Sequence, residues 1–192
     1  MPLIWIGKSL GIKSLDGRVY GPNLMLDAMD KGRETGVKHF LYGSTTQVLS
    51  RLKEELIGRF PGLLIVGCEA PPFGDVNSEV KKTLDRMLLE SQPDVVWVGL
   101  GTPKQDFFVH EYRTRFPATF VGIGAAFDFL SGEKSQAPSW MQNIGLEWAF
   151  RLASEPRRLW RRYLIHNFIF ILETFRHRPR ILDDFKAEEV RD

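Results

Sequence analysis

The sequence is poor in cysteine and has no long apolar run, and both absences limit what the protein can be. Its single cysteine, Cys68, excludes an internal disulfide and suits a reducing compartment. Cys68 follows an apolar, strand-like run, which favours a small buried residue over a nucleophile. No stretch of about 18 consecutive apolar residues is present, so we expect no membrane-spanning helix. Residues Met1–Ile6 are too few, and lack the basic lead, for a secretory signal.

Several familiar catalytic and metal-binding patterns are also missing. The four histidines lack metal-ligand spacing, and no cluster of carboxylates suggests a site for a divalent cation. The sequence has no Gly-x-Ser-x-Gly elbow, no Walker loop and no complete Gly-x-Gly-x-x-Gly fingerprint. We therefore expect a reaction that needs neither a metal nor a bound cofactor. The net charge of +2 names no partner by itself.

The most informative stretch, residues 94–106, predicts a buried strand followed by a ligand-binding loop. Val95–Val98 is continuously apolar, as in a central parallel strand that is covered on both faces. Gly99 and Gly101 would let a ligand approach the backbone, and Pro103 suits the first position of a following helix. The start of that helix favours an anion such as a phosphate. A tight turn without a ligand is the alternative, because Gly-x-Gly alone is a weak motif.

Strands and helices alternate along the first two thirds of the chain. This alternation predicts an α/β fold, with a Rossmann-like parallel sheet that carries helices on both faces. Right-handed crossovers would bring the loops at the carboxyl ends of the strands to one crevice, which suits a nucleotide-type ligand. The predicted strands are Lys38–Tyr42, Gly62–Val66, Val95–Val98 and Ala118–Ile123, and the predicted helices include Pro2–Leu10, Pro22–Arg33 and Ser78–Glu90.

Two polar loop segments each allow two interpretations. Residues 43–46, Gly-Ser-Thr-Thr, offer good helix N-caps, and the same groups could donate to a phosphate. Arg18 lies between glycines in a turn-rich loop. It is either a surface arginine or a clamp that holds a diphosphate or a carboxylate with its rigid fork of donors.

The last third of the chain is basic and aromatic, and we expect it to form a helical appendage. Residues 151–180 contain eight arginines against two glutamates, a net charge of +6, interleaved with bulky aromatic residues. Helices are predicted at Trp140–Ser154 and Arg157–Arg176. The pattern is typical of a segment at a membrane surface, and a packed helical hairpin with solvated arginines is the alternative. No recognition motif supports nucleic acid as the partner. The predicted domains are therefore residues 1–135 and 136–192.

Short motifs stand in a fixed order along nearly the whole chain, among them residues 18–23 (RVYGPN), 98–105 (VGLGTPKQ) and 155–158 (EPRR). On these motifs the chain resembles the WecG/TagA/CpsF family of bacterial glycosyltransferases. The resemblance implies inverting, metal-independent transfer of a sugar from a UDP-sugar to a polyprenyl-diphosphate-linked sugar at the cytoplasmic membrane face. Members of this family build teichoic acid linkage units, enterobacterial common antigen or exopolysaccharide repeats. The matching segments are residues 18–23 (RVYGPN), 93–94 (PD), 98–105 (VGLGTPKQ), 122–124 (GIG), 127–129 (FDF), 137–138 (AP), 145–148 (GLEW), 151–152 (RL), 155–158 (EPRR) and 161–163 (RRY).

Carried over residue by residue, the resemblance assigns Gln105 and Arg18 to catalysis. The Gly-rich loops would lie against the nucleotide-sugar, and the C-terminal arginines would hold phosphates while the aromatic helix touches lipid. The expected nucleotide-sugar contacts are Gly43, Ser44, Gly99, Gly101, Thr102, Pro103 and Gly124. The expected diphosphate or lipid contacts are Arg151, Arg158, Arg161 and Arg162.

The sequence departs from the family pattern at three places. Asp106 stands where the family usually has Glu, and Gln136 stands where it usually has Arg. The family's presumed general base is an Asp in an Asp-Gly pair, within an α/β segment that would precede Met1. We expect the loss of that segment to impair turnover, and Asp128 is the one substitute base that we would test. Absent strands would also expose an apolar surface or an open sheet edge, which invites a partner chain or a homo-oligomer.

Two hypotheses follow. The first is a glycosyltransferase with an intact nucleotide-binding half, located peripherally at the cytoplasmic face of the inner membrane. Its partners would be a UDP-sugar, a polyprenyl-diphosphate-linked acceptor and an anionic membrane surface. The second is a non-catalytic module that binds a nucleotide-sugar or the membrane and works through another chain. The encoding DNA upstream of Met1 would distinguish them, since an in-frame Asp-Gly segment favours the enzyme and an immediate stop codon favours the module.

Overall fold

The computed structural model describes residues 2–12, 15, 18–72 and 78–177, apart from the side chains of Pro2, Arg158 and Arg162. The chain divides into two compact units. The first, which we call the sheet unit, is Val19–Ser135. The second, the helical unit, combines the N-terminal residues up to Arg18 with the residues from Gln136 onward.

The sheet unit is built on four parallel strands. They are β1 (Lys38–Gly43), β2 (Leu64–Glu69), β3 (Val95–Gly99) and β4 (Thr119–Gly122), in the spatial order β2-β1-β3-β4. Leu41 of β1 pairs with Trp97 of β3, which in turn pairs with Val121 of β4. The predicted α/β class with a Rossmann-like parallel sheet is confirmed.

Helices connect the strands and continue into the helical unit. None of the helices in the part of the chain that the structure describes combines the length and the apolar character that crossing a bilayer requires. The helices are α1 (Pro2–Ser9), α2 (Gly21–Gly32), α3 (Thr46–Arg59), α4 (Ser78–Ser91), α5 (Lys104–Tyr112), α6 (Ala126–Leu130), α7 (Ser139–Asn143), α8 (Glu147–Ser154) and α9 (Pro156–Arg176).

Both faces of the sheet are covered, which explains why its central strands lack polar alternation. Leu41 and Trp97 lie in one core cluster with residues of α2, α3 and α6. Phe40 and Tyr42 point the other way and pack with residues of α4 and α5. Successive side chains of a strand alternate between the two faces, so every position of a doubly covered strand must be apolar or satisfied.

A buried histidine is the main polar exception in the core of the sheet. His39 is fully buried, and its Nδ1 accepts a hydrogen bond from the indole Nε1 of Trp97 at 3.2 Å. Burial lowers the pKa of His39, and the negative charge of Asp94 partly opposes that shift. His39 is therefore held neutral, with the tautomer that leaves Nδ1 as an acceptor.

Two predicted boundaries were wrong for identifiable local reasons. The second strand begins at Leu64 rather than at Gly62, because the chain is still turning there: the Leu63 N–H donates to the carbonyl of Phe60, and Gly62 has a φ of +88°. The single helix predicted over Trp140–Ser154 is two helices, α7 and α8. Gly145, with a φ of +77°, ends the first one, and the helix restarts two residues later.

The helical unit is organised around the packing of α8 against α9. The rings of Trp148 and Tyr163 lie 6.3 Å apart, and Leu159 is buried. The α1 helix groups with this unit, whereas the sequence analysis placed all of residues 1–135 together. Arg18, which belongs to the same unit, forms an ion pair with Glu147 of α8.

Candidate functional site

The sheet has a topological switch point between β1 and β3. The chain leaves β1 into α3, which packs on one face, and leaves β3 into α5, which packs on the other face. The two loops therefore diverge at the carboxyl ends of adjacent strands, and we call the place where they diverge the crevice. In open α/β sheets this is the position at which ligands bind.

Gly43 and Gly99 bring the two strands together at the base of the crevice. A Cβ on Gly43 would lie 2.6 Å from the carbonyl carbon of Gly99, and the Ser44 N–H donates to that carbonyl at 3.2 Å. A Cβ on Gly99 would lie 2.6 Å from the ring of Phe127. Close packing within the protein thus requires glycine at both positions. Their contact with a nucleotide stays a prediction.

The loop after β3 has a different reason for its second glycine. Gly101 has a φ of +77°, and no atom lies within 4 Å of where its Cβ would stand. The Thr102–Pro103 peptide is cis, and Pro103 lies just before α5 rather than at its first helical position, which corrects the predicted helix start. The Gln105 N–H donates to the Gly101 carbonyl at 2.9 Å, so this loop is closed by backbone hydrogen bonds.

Gln105 lies buried at the start of α5 and bridges to the loop after β4. Its Oε1 accepts a hydrogen bond from the Gly124 N–H at 2.9 Å. On the same side, a Cβ on Gly122 would lie 3.2 Å from Gln105 Nε2, so the amide lies over the end of β4. The structure therefore brings Gln105 and Gly124 together, at the carboxyl edge that also carries the crevice. Their predicted roles toward a substrate are not tested by this geometry.

Ser44 and Asp128 form a short polar chain at the same edge. The Ser44 hydroxyl donates to Asp128 Oδ1 at 3.2 Å, and Lys134 Nζ lies 2.9 Å from Asp128 Oδ2. Ser44 also has a φ of +57°, a conformation that costs energy for a residue with a side chain. Both oxygens of Asp128 thus have protein partners, and these contacts tie the loop after β1 to α6. Its role as a substitute base remains a prediction.

The neighbouring residue of that loop follows the simpler of the two interpretations. Thr45 is the N-cap of α3, and its side-chain oxygen accepts from the Val48 N–H at 3.3 Å.

Beside the first turns of α3, a cavity of about 360 Å³ opens at the end of β2, lined by residues that include Lys53, Cys68 and Glu69. Cys68 is half-buried rather than buried as predicted. Burial raises the pKa of its thiol, with Lys53 acting in the opposite direction, and a raised pKa disfavours the thiolate that a nucleophile needs.

The helical unit contains a second polar cluster, formed by two arginines and one glutamate. Arg18 Nη2 lies 2.6 Å from Glu147 Oε2, and Arg151 Nη2 lies 2.5 Å from Glu147 Oε1. The Glu147 side chain is only 10% exposed, whereas the arginines are 32% and 28% exposed. Two of the arginines singled out in the sequence, Arg18 and Arg151, are therefore held on one carboxylate.

The remaining predicted arginines lie on the first turns of α9. The guanidinium of Arg161 stacks over the ring of Trp160, 5.3 Å from its centroid, and the residue is exposed. The side chains of Arg158 and Arg162 lie outside the described part of the structure. The rest of the outer face of α9 is apolar and exposed, with side chains that include Leu164, Phe168, Ile171 and Phe175.

Sequence reasoning did not single out Glu147 for a role. A local signal was available, since Glu147 and Arg151 stand four residues apart with the acid first, an arrangement that forms ion pairs on a helix. The pairing with Arg18 joins positions 129 residues apart, and no local pattern predicts it.

Taken together, the four parallel strands, the helices that cover them and the switch point define an α/β protein with a Rossmann-like sheet. Comparison with known proteins gives the family. The model of the glycosyl transferase WecG/TagA/CpsF family matches residues 1–183, and the chain belongs to this family. The resemblance seen in the sequence is thereby confirmed.

Two similar proteins from Bacillus carry the same name, N-acetylglucosaminyldiphosphoundecaprenol N-acetyl-beta-D-mannosaminyltransferase. The protein of Bacillus spizizenii is 36% identical over 163 residues, which cover 84% of this chain and 61% of the relative. The protein of Bacillus subtilis is 32% identical over 151 residues, covering 78% of this chain and 57% of the relative. The chain thus spans about three fifths of the length of these relatives.

Proposed function

We propose that the protein is a glycosyltransferase of cell-surface polysaccharide synthesis that moves a sugar from a UDP-sugar to a polyprenyl-diphosphate-linked sugar. Family membership supports the reaction class. The names of both relatives support an amino-sugar donor related to N-acetylmannosamine and an acceptor with N-acetylglucosamine on a diphosphate-linked polyprenol. Teichoic acid linkage units and exopolysaccharide repeats are the products that fit this pair of substrates.

The observation that carries this proposal is the switch point between β1 and β3. The loops that follow these two strands contain Ser44, Gly101 and the start of α5, and the strand ends approach closely because Gly43 and Gly99 lack side chains. Backbone amides near a helix start favour phosphate groups. The UDP portion of the donor would bind here, with Thr102 and Pro103 in the adjoining turn and Gln105 and Gly124 at its edge.

The proposed chemistry is an inverting displacement without a metal ion. The acceptor hydroxyl oxygen attacks the anomeric carbon, and the bond from that carbon to the diphosphate oxygen breaks. UDP leaves with the electron pair of that bond, and a base takes the hydroxyl proton. Gln105 would orient the donor through its amide, and Arg18 is the second residue that we propose for catalysis. Asp128 is the base to test, although Ser44 and Lys134 already occupy both of its oxygens.

The outer face of α9 would hold the protein on the cytoplasmic face of the membrane, where the acceptor lipid resides. Apolar side chains cover that face from Leu164 to Phe175, and arginines occupy the turns before them. An apolar face buried at the headgroup boundary, combined with cations beside anionic lipids, is how a helix binds a membrane without spanning it. Arg161, with Arg158 and Arg162, would provide those cations.

A transfer assay on the 192-residue chain tests the proposal. The chain is incubated with UDP-N-acetylmannosamine and a short-chain polyprenyl-diphosphate-linked N-acetylglucosamine, with and without EDTA, and product is followed by mass spectrometry. We expect transfer that survives EDTA and falls by at least about 100-fold in Gln105→Ala or Arg18→Ala. Gln47→Ala and Arg113→Ala alter exposed residues and serve as controls.

The same assay separates the enzyme from its rival. Asp128→Asn should abolish transfer if Asp128 is the base and leave it intact if it is not. Binding of UDP without any transfer would favour the non-catalytic module, which works through another chain. If the chain neither binds UDP nor transfers a sugar, the nucleotide-sugar site itself is contradicted.

A further inference from the structure

We propose that Glu147 is a positioning residue that holds Arg18 and Arg151 together as a diphosphate-binding pair. The inference rests on the proposed function, because it concerns how the protein would hold the diphosphate of one of its substrates. Neither the sequence analysis nor the family resemblance assigned a role to Glu147. Glu147, Arg18 and Arg151 all belong to the helical unit.

The cluster consists of one nearly buried carboxylate and two partly exposed arginine side chains. The two Glu147 oxygens each lie within 2.6 Å of a guanidinium nitrogen, one from Arg18 and one from Arg151. The carboxylate is nearly buried while both arginines remain partly exposed. One carboxylate therefore sets the spacing of the two cations.

The local sequence explains why Glu147 can do this. Gly145, with a φ of +77°, ends α7, and Glu147 then becomes the first residue of α8. A carboxylate in the first turn of a helix is stabilised by the helix dipole. Arg151 follows one turn later on the same side of α8, and Arg18 arrives from the segment before the sheet unit.

The charge balance fits a diphosphate. Two guanidiniums held side by side repel each other, and the shared carboxylate reduces their combined charge from +2 to +1. The pair stays cationic, and its two planar forks suit the two phosphate groups of a nucleoside or polyprenyl diphosphate. The donor and the acceptor both contain this chemical group, so the test must distinguish them.

Glu147→Gln separates positioning from simple electrostatics. The substitution removes a negative charge and makes the cluster more positive, so a plain sum of charges predicts tighter binding of a diphosphate. Positioning predicts the opposite, because the amide holds the two guanidiniums less firmly and their mutual repulsion increases. Glu147→Asp keeps the charge and shortens the reach by one methylene. Glu173→Gln is the matched control, since Glu173 is exposed on α9 in an ion pair with His177.

Calorimetric titration of the 192-residue chain with UDP and, separately, with geranyl diphosphate makes the comparison. We expect the wild type to bind at least one probe and Glu147→Gln to weaken that binding by about 10- to 100-fold. Glu147→Asp should recover part of the loss, and Glu173→Gln should stay within about twofold. A loss confined to UDP assigns the pair to the donor, and a loss confined to geranyl diphosphate assigns it to the acceptor.

Arginine side-chain NMR adds a readout that does not need a ligand. The guanidinium N–H signals of Arg18 and Arg151 should lose their protection from hydrogen exchange in Glu147→Gln. If Glu147→Gln fails to fold, Glu147→Asp is measured in its place. Unchanged or tighter binding in a folded Glu147→Gln, beside a wild type that binds, would overturn this inference alone. Binding of neither probe by the wild type would overturn the proposed function and this inference with it.

Discussion

Gly43→Ala should destabilise the sheet unit more than substitution of a glycine that has a similar backbone conformation but no close neighbours. The new Cβ would lie 2.6 Å from both the carbonyl carbon and the carbonyl oxygen of Gly99, which are backbone atoms of the adjacent strand. Gly43 also has a φ of +127°, a conformation that residues with side chains rarely adopt. Relief of the clash therefore requires the ends of β1 and β3 to separate.

The magnitude follows from two contributions. Backbone strain at such a φ costs about 1–3 kcal/mol. Separation of the strand ends breaks the hydrogen bond from the Ser44 N–H to the Gly99 carbonyl, which is worth about 1 kcal/mol. We therefore expect a loss of about 3 kcal/mol in the free energy of unfolding. Gly36→Ala is the matched control: Gly36 has a φ of +71° but an empty surrounding, so it should lose only about 1–2 kcal/mol.

Native-state hydrogen exchange of the Phe40 and Leu41 amides in β1 measures the loss within the sheet unit itself. The same variant should lose affinity for UDP, because the crevice forms where the two strand ends meet. If Gly43→Ala costs no more than Gly36→Ala, the close approach of β1 and β3 is not as the structure has it.

Three further predictions concern the core, a helix cap and the outer face of α9. Because the pKa of His39 is lowered in the folded protein, the unfolded chain binds the proton more readily. The free energy of unfolding should therefore be highest above pH 6.5, the ordinary pKa of histidine, and should fall as the pH drops below that value. His39→Asn keeps a hydrogen-bond acceptor for Trp97. In urea titrations at several pH values, the free energy of unfolding of this variant should depend less on pH than that of the wild type. Thr45→Ala removes the cap of α3 and should cost about 1 kcal/mol by thermal denaturation, whereas Thr46→Ala should cost almost nothing. The double variant Phe168→Ser, Phe175→Ser should bind anionic vesicles at least about tenfold more weakly in sedimentation, while Phe107→Ser, equally exposed in the sheet unit, should bind like the wild type.

The parts of the fold that the sequence predicted well are those that local patterns determine. Val95–Val98 is apolar at every position, and only a strand covered on both faces requires that. The parallel direction of the strands could be predicted because a helix separates each strand from the next. The helix break at Gly145 was missed because Ile144 and Leu146 continue the apolar pattern on either side of it. Hydrophobic periodicity does not indicate which residue adopts a positive φ.

The candidate site shows the same division. Gln105 was found through its motif, but its hydrogen bond to Gly124 joins two loops that only the folded sheet brings together. Gly43 and Gly99 were assigned to the nucleotide, and the structure gives each a packing reason that requires no ligand. Glu147 was not assigned a role because its partner Arg18 lies 129 residues away. Long-range pairs of this kind depend on tertiary structure, which a single sequence does not reveal.

The central claim is that a nucleotide binds at the carboxyl edge of the parallel sheet, between β1 and β3. The most direct measurement is a titration of the isotopically labelled chain with UDP, followed through its glycine amide NMR signals. Binding at this edge predicts saturable shifts of the Gly99, Gly101 and Gly124 signals. The signals of Gly36 and Gly62, which precede β1 and β2 at the opposite edge, should stay unchanged. Shifts confined to Gly36 and Gly62, or no saturable shift at all, would contradict it.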